Sequence, residues 1–139
     1  MSRVKLYYWM SALSGCVWAL LAYALILDAM GSLIWGGVIA SPLIGLLIGL
    51  LYRPAYKFSK VGQVFSSLIT LYIAVTLFGL AMGIYDAYGH SIPNRIHSEV
   101  ILETVLATLW GVTFLGYFLF LWPLSYFNHR LLARSQKAV

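Results

Sequence analysis

The sequence predicts an all-α integral membrane protein that crosses the bilayer with four transmembrane helices. Of its 139 residues, 62% are hydrophobic and 9% are charged, whereas soluble domains carry about 25% charged residues. Four stretches without Asp, Glu, Lys or Arg are 22 to 26 residues long. A membrane-spanning helix needs about 20 mainly apolar residues. The four charge-free stretches are 6–27, 29–52, 61–85 and 104–129.

The distribution of Lys and Arg predicts how the chain is oriented. Eight of the nine basic residues lie before the first stretch, between the second and third, or after the fourth, and the ninth is Arg95. With four spans these three segments share one side, and segments rich in Lys and Arg face the cytoplasm. The eight residues are Arg3, Lys5, Arg53, Lys57, Lys60, Arg130, Arg134 and Lys137. We therefore expect a multi-pass protein of the inner (plasma) membrane with both termini cytoplasmic. The lipid bilayer is the expected environment of the chain. Its basic residues are too few to indicate a nucleic-acid partner.

Gly, Ser and Pro residues set the predicted helix boundaries within a single domain over residues 1–139. Gly31 and Ser32 leave almost no connection between helices 1 and 2, which predicts an antiparallel hairpin. Pro54 cannot continue helix 2. The longest connection between spans, 89–97, separates helices 3 and 4. The predicted helices are 7–30, 33–52, 62–88 and 97–127.

Two similar stretches lie at the ends of helices 1 and 3, the two helices that run from the cytoplasmic side to the outer side. ILDAMGS at 26–32 and IYDAYGH at 84–90 share Ile, Asp, Ala and Gly at matching positions. Gly31 and Gly89 can each adopt the left-handed conformation that caps a helix. A second similar pair follows, LIWGGV at 33–38 and TLWGV at 108–112. Two interpretations stand: a duplicated helical hairpin, with helices 1–2 and 3–4 as its copies, or chance similarity between apolar helix ends.

Helix 2 carries a small residue at every fourth position. This small-residue stripe consists of Gly37, Ser41, Gly45 and Gly49. Small residues let helix backbones approach closely in lipid, so the stripe predicts a tight contact with another helix of this chain or of another subunit. Pro42 removes a backbone hydrogen bond and predicts a kink, and Ser41 is placed to bond the freed carbonyl. Pro123 predicts a second kink near the inner end of helix 4.

Acidic and histidine side chains gather on the predicted outer side. This outer cluster consists of Asp86, His90, His97, Glu99 and Glu103. Glu99 and Glu103 lie one helical turn apart and repel each other, so a cation, a raised pKa or a basic neighbour such as Arg95 should compensate. One interpretation is an interfacial helix start with one ordinary ion pair. The other is a site for a metal ion or cationic ligand; the pattern specifies neither the metal nor any cofactor.

The predicted spans hold no charged residue and no histidine at mid-depth, and His129 falls beyond the predicted end of helix 4. Coupled transporters usually carry ionisable residues inside the membrane. Serine and threonine within the spans are expected to close local or interhelical hydrogen bonds.

The first hypothesis is therefore a non-enzymatic accessory, assembly or structural subunit of a membrane complex, which contacts other subunits or copies of itself. The alternatives are a small homo-oligomeric channel or carrier for cations, and an outer-face metal-dependent membrane enzyme.

Overall fold

Helices account for nearly all of the chain that the computed structural model describes, namely residues 3–89, 102, 105–106, 109, 113 and 119–137. The α-helices are α1 (Arg3–Met30), α2 (Ile34–Tyr52), α3 (Lys60–Gly89) and α4 (Leu121–Lys137). Turns of 3₁₀ helix at Gly31–Leu33 and Arg53–Lys57 connect the first three. Helices α1, α2 and α3 begin and end within four residues of the boundaries expected from the sequence.

Within the described residues, three helical stretches are long and apolar enough to cross a membrane. They are Val4–Ala29, Gly31–Lys57 and Lys60–Asp86. Large apolar side chains remain exposed on all three, as expected of helices that face hydrocarbon. Most of the predicted fourth span, 97–127, lies outside the described residues.

The hairpin of α1 and α2 turns at Gly31. This residue has a φ of +53°, a conformation that glycine adopts without the steric cost of a Cβ atom. The predicted left-handed cap is therefore confirmed at Gly31. Gly89, in contrast, is the last residue of α3. Duplication of the hairpin stays a prediction, because the second returning helix falls largely on residues that are not described.

Helices α1 and α2 meet almost backbone to backbone along the small-residue stripe. A Cβ atom added to Gly45 would lie 2.7 Å from the Cα atom of Gly15, and one added to Gly49 would lie 2.7 Å from the Cβ atom of Ser11. A Cβ atom on Gly15 would also collide with the Ser41 carbonyl oxygen. The contact that the stripe predicts is thus made within the chain. In lipid no hydrophobic effect drives helices together, and close packing of this kind supplies the attraction between them.

The first residue of the stripe, Gly37, faces a different helix. A Cβ atom added to Gly37 would lie 2.6 Å from the Cε2 atom of Phe78 on α3. The adjacent Gly36 also faces α3, since a Cβ atom there would lie 2.5 Å from that of Tyr85. Helix α2 therefore sits between α1 and α3, with glycines turned toward both.

Pro42 lies inside α2, which continues through it from Ile34 to Tyr52. A proline at this position cannot donate to the Val38 carbonyl four residues earlier. The Ser41 hydroxyl donates to that oxygen at 2.7 Å, so the predicted compensation by Ser41 is confirmed. The bend of α2 at Pro42 stays a prediction.

The Ser41 hydroxyl should matter only while Pro42 is present. We expect Ser41→Ala to lower the free energy of unfolding by about 1–2 kcal/mol, because it leaves a buried carbonyl without a donor. In a Pro42→Ala background the new N–H can bond to Val38, so the same change should cost much less. Unfolding of the four proteins from mild micelles with a denaturing detergent measures this double-mutant cycle. Equal losses in both backgrounds would contradict the assignment.

The predicted fourth helix is interrupted at residues 119–120 and ends later than expected, whereas its predicted start at residue 97 lies outside the described residues. The chain turns at residues 119–120 and α4 then runs from Leu121 to Lys137, so the expected unbroken helix over 97–127 is corrected on two points. Pro123 has no N–H for the Leu119 carbonyl, which accepts instead from the backbone N–H of Trp122 at 3.3 Å. Pro123 itself lies in the first turn of α4, where a missing N–H costs nothing.

Candidate functional site

Four aromatic rings gather where the start of α1, the turn after α2 and the middle of α4 meet. This aromatic cluster consists of Tyr7, Tyr52, Tyr56 and His129. Tyr56 contacts Tyr7 and Tyr52 edge to face, with ring centroids 6.1 and 5.2 Å apart. The His129 ring lies flat on Tyr52 at 3.6 Å, with 1° between the planes. Such contacts fix the angle at which the elements meet.

Tyrosine hydroxyls connect this cluster to the backbone. The Tyr7 hydroxyl donates to the Gly49 carbonyl at 2.8 Å and lies 3.3 Å from the Tyr56 hydroxyl. Tyr56 donates in turn to the carbonyl of His129 at 3.2 Å. Tyr52 donates to the carbonyl of Gln63 on α3 at 3.0 Å. The cluster therefore joins α1, α2, α3 and α4 through directional bonds.

His129 is the buried titratable group of this cluster, with only 2% of its surface exposed. Its Nε2 atom lies 3.1 Å from the Thr70 hydroxyl oxygen. That hydroxyl also lies within hydrogen-bond distance of two carbonyl oxygens of its own helix, those of Ser66 at 3.0 Å and Ser67 at 3.2 Å. The neutral ring carries its proton on one of the two nitrogens, and the Thr70 hydroxyl donates to Nε2 or accepts from it accordingly.

The surroundings keep the imidazole uncharged. Burial lowers the pKa of His129 from 6.5 to about 4, so the ring is neutral at pH 7. Among the described residues, its Nδ1 is the one buried side-chain nitrogen or oxygen without a hydrogen-bond partner. Buried polar atoms are nearly always paired, which makes this atom the feature of the site that most needs an explanation.

Other polar side chains next to His129 bond within the chain. Ser14 on α1 donates to the Oδ1 atom of Asn128 at 2.9 Å, and Ser125 donates to the Ser67 carbonyl at 3.2 Å. These bonds confirm that serines and threonines of the described helices close local and interhelical hydrogen bonds. They also hold α4 against α1 and α3.

A cavity of about 640 Å³ lies between the helices beside this polar group. Its walls are mainly apolar and include Trp18, Leu71 and Phe78. Its polar side chains come from one turn of α4, which contributes Ser125, Asn128 and His129, and from other parts of the chain, namely Ser14, Ser41, Thr70 and Thr113. None of the described residues that line the cavity is Asp, Glu, Lys or Arg. Sites for small ligands have volumes of roughly 300–1,000 Å³, so the cavity is large enough for one.

Of the predicted outer cluster, only Asp86 is among the residues that the structure describes. Asp86 is half-buried near the end of α3. His90, His97, Glu99 and Glu103 lie outside the described residues, and the hypothesis of a metal or cationic ligand there stays a prediction. Within the described part of the chain, no three His, Cys, Asp or Glu side chains come close enough to hold a metal ion.

The sequence interpretation missed His129 because helix 4 was expected to end at residue 127. The spacing that would have revealed it is present in α4. Its buried residues recur every three or four positions, as one face of a helix requires, while Arg130 and Arg134 are exposed. The buried positions are Leu121, Ser125, His129 and Leu132. His129 thus lies inside a helix and not beyond one.

No family model, no curated protein and no solved structure matches this chain.

Proposed function

We propose that this protein is a non-enzymatic integral membrane protein that serves as an accessory, assembly or structural subunit of a membrane complex. The observation that carries the proposal is the use of its interior polar groups. The hydroxyls of Tyr7, Ser14 and Ser125 all donate to oxygen atoms of the chain's own backbone or side chains. Each of these bonds joins two different helices, and side chains engaged in this way serve packing in membrane proteins.

The outward faces of the helices suit lateral contact with other membrane helices. On α1, Trp9, Leu13, Val17 and Leu20 follow one another at helical spacing, and each exposes half or more of its surface. The glycines that allow close approach are meanwhile engaged between α1, α2 and α3. A partner would therefore meet large aliphatic and aromatic side chains, which mediate association through van der Waals packing.

The proposed orientation places the basic ends of α1 and α4 and the turn at 53–57 in the cytoplasm. It is supported by the proximity of these segments. The Arg53 guanidinium donates to the Tyr8 hydroxyl at 2.9 Å, and Tyr56 bonds to the backbone of α4. Positive charge from three segments thus collects at one end of the bundle.

Site-specific photocrosslinking in the native membrane tests the subunit proposal. A photoreactive amino acid is placed singly at the exposed positions Val17, Leu43 and Phe65, with the buried Ser67 as control. We expect at least one exposed position to form an adduct with a defined membrane polypeptide, and the same polypeptide to appear in the mass spectrum of the complex extracted in mild detergent. Adducts with lipid alone at all three positions, together with a spectrum of this chain alone, would refute it.

A further inference from the structure

Basic and acidic side chains are separated along the bundle. The acidic residues of the sequence are at positions 28, 86, 99 and 103, and Asp28 and Asp86 lie in the last turns of α1 and α3. Exposed basic side chains lie at the opposite ends of the helices. This basic end consists of Arg53, Lys57, Lys60, Arg130 and Arg134. Its charge attracts anions.

Arg53 is held in position at this end by a residue of another helix. It directly follows α2, and its guanidinium donates to the hydroxyl of Tyr8 on α1 at 2.9 Å. The guanidinium carbon also lies 5.9 Å from the centroid of the Tyr8 ring, which is within the range of a cation–π contact. Because Tyr8 restricts this arginine before any ligand arrives, less conformational entropy is lost when the arginine binds an anion.

The donors that remain on this pair define the ligand. A guanidinium has five N–H donors in a planar fork, and the bond to Tyr8 engages one of its terminal nitrogens. The Tyr8 hydroxyl accepts that bond and keeps its own proton for another acceptor. Forks of N–H groups match pairs of phosphate oxygens, with which they form short charge-assisted hydrogen bonds. Arg53 and Tyr8 together therefore offer several donors to one phosphate group.

The pair lies at the level where a lipid carries its phosphate. Tyr8 and Arg53 are close to the ends of the stretches Val4–Ala29 and Gly31–Lys57, which are long and apolar enough to cross a membrane. Trp9 exposes 65% of its surface, and Leu50 and Leu51 are also exposed. Trp and Tyr favour the membrane–water interface, and the two leucines offer apolar surface to acyl chains.

We propose that Arg53 and Tyr8 bind the phosphate of an anionic phospholipid at the basic end. A zwitterionic lipid fits less well, because its cationic headgroup would lie near Lys57 and Arg130, and among the described residues no carboxylate lies at this end to pair with it. Basic segments next to a membrane attract anionic lipids for the same reason. The inference rests on the membrane location of the chain and does not depend on which proteins it assembles with.

Native mass spectrometry of the full chain in mild detergent tests the proposal. The chain is mixed with equal amounts of phosphatidylglycerol and phosphatidylcholine that carry the same acyl chains. The ionic strength is about 0.15 M, at which exposed charges more than about 8 Å apart are largely screened. We expect phosphatidylglycerol to bind about tenfold more tightly. Excess glycerol phosphate should not displace it, because the acyl chains also contribute to binding. Equal binding of the two lipids, or displacement by glycerol phosphate, would overturn the proposal.

Substitutions locate the site. Arg53→Gln removes the charge and the fork, and Tyr8→Phe removes the hydroxyl that holds the guanidinium, so each variant should bind phosphatidylglycerol at least about fivefold more weakly. Arg134→Gln is the matched control, since it removes the same charge from an exposed position on α4, and its affinity should stay within about twofold of the wild type. Equal weakening by Arg53→Gln and Arg134→Gln would show attraction by total charge without a site and would also overturn the proposal. The preference of the wild-type chain between the two lipids decides the question even if a variant fails to fold.

Discussion

Replacing Gly45 by leucine should separate α1 from α2 and abolish the native bundle. Even a Cβ atom at this position would collide with the Ser11 carbonyl oxygen and lie 2.7 Å from both the Cα and N atoms of Gly15. These are backbone atoms, which cannot move aside as a flexible side chain can. Overpacking of an ordinary core costs about 1–3 kcal/mol, and a full side chain inserted between two backbones should cost at least about 3 kcal/mol. Denaturing-detergent titration or thermal unfolding in mild micelles measures the loss.

The matched control adds the same side chain where nothing opposes it. Ala24 is exposed on α1, so Ala24→Leu should change the free energy of unfolding by less than about 0.5 kcal/mol. If Gly45→Leu and Ala24→Leu unfolded at the same midpoint, the close contact of α1 and α2 would not be present in the folded protein.

Acidification from pH 7 to pH 4 should destabilise the wild-type chain more than His129→Phe. Burial lowers the pKa of His129 to about 4, whereas the exposed residue in the unfolded chain titrates near 6.5. Below pH 6.5 the unfolded state therefore binds a proton that the folded state does not accept. The contribution of the neutral ring is complete above pH 6.5, is lost as the pH falls toward 4, and does not change further below that value.

The expected size of this effect is about 3 kcal/mol, lost between pH 6.5 and pH 4. Unfolding free energies of the wild type and of His129→Phe, measured across this range, isolate it. Both proteins carry the same carboxylates, so acid titration elsewhere cancels in their difference. Parallel pH profiles for the two proteins would show that His129 is accessible to water and protons in the folded state.

Much of the fold is local and can be read from the sequence. Charge-free stretches flanked by Lys, Arg, Gly and Pro locate α1, α2 and α3, because the length and polarity of a segment decide whether it can form an apolar helix. The bond from Ser41 to Val38 was also foreseeable, since both partners lie within one turn of Pro42. Such features depend only on residues a few positions apart.

The candidate site could not be read in the same way. Thr70 and His129 are 59 positions apart, and no local sequence pattern around either residue indicates that they are in contact. The predicted end of helix 4 at residue 127 also hid the helical spacing of Ser125 and His129. The outer cluster was predicted as a candidate site because histidine and carboxylate side chains are typical ligands of metal ions. A single histidine in a basic segment does not indicate a site.

The amino-acid sequence by itself determined that this chain forms long apolar helices, where the first three begin and end, and which face of α2 permits close approach. Only the tertiary structure decided that Gly45 and Gly49 meet α1 while Gly37 meets α3, and that α4 turns inward to bury His129 beside a cavity. The physical reason is that periodicity describes one helix at a time. The choice of neighbour depends on how several helices fill space together, and the backbone contacts that decide it join residues far apart in the chain.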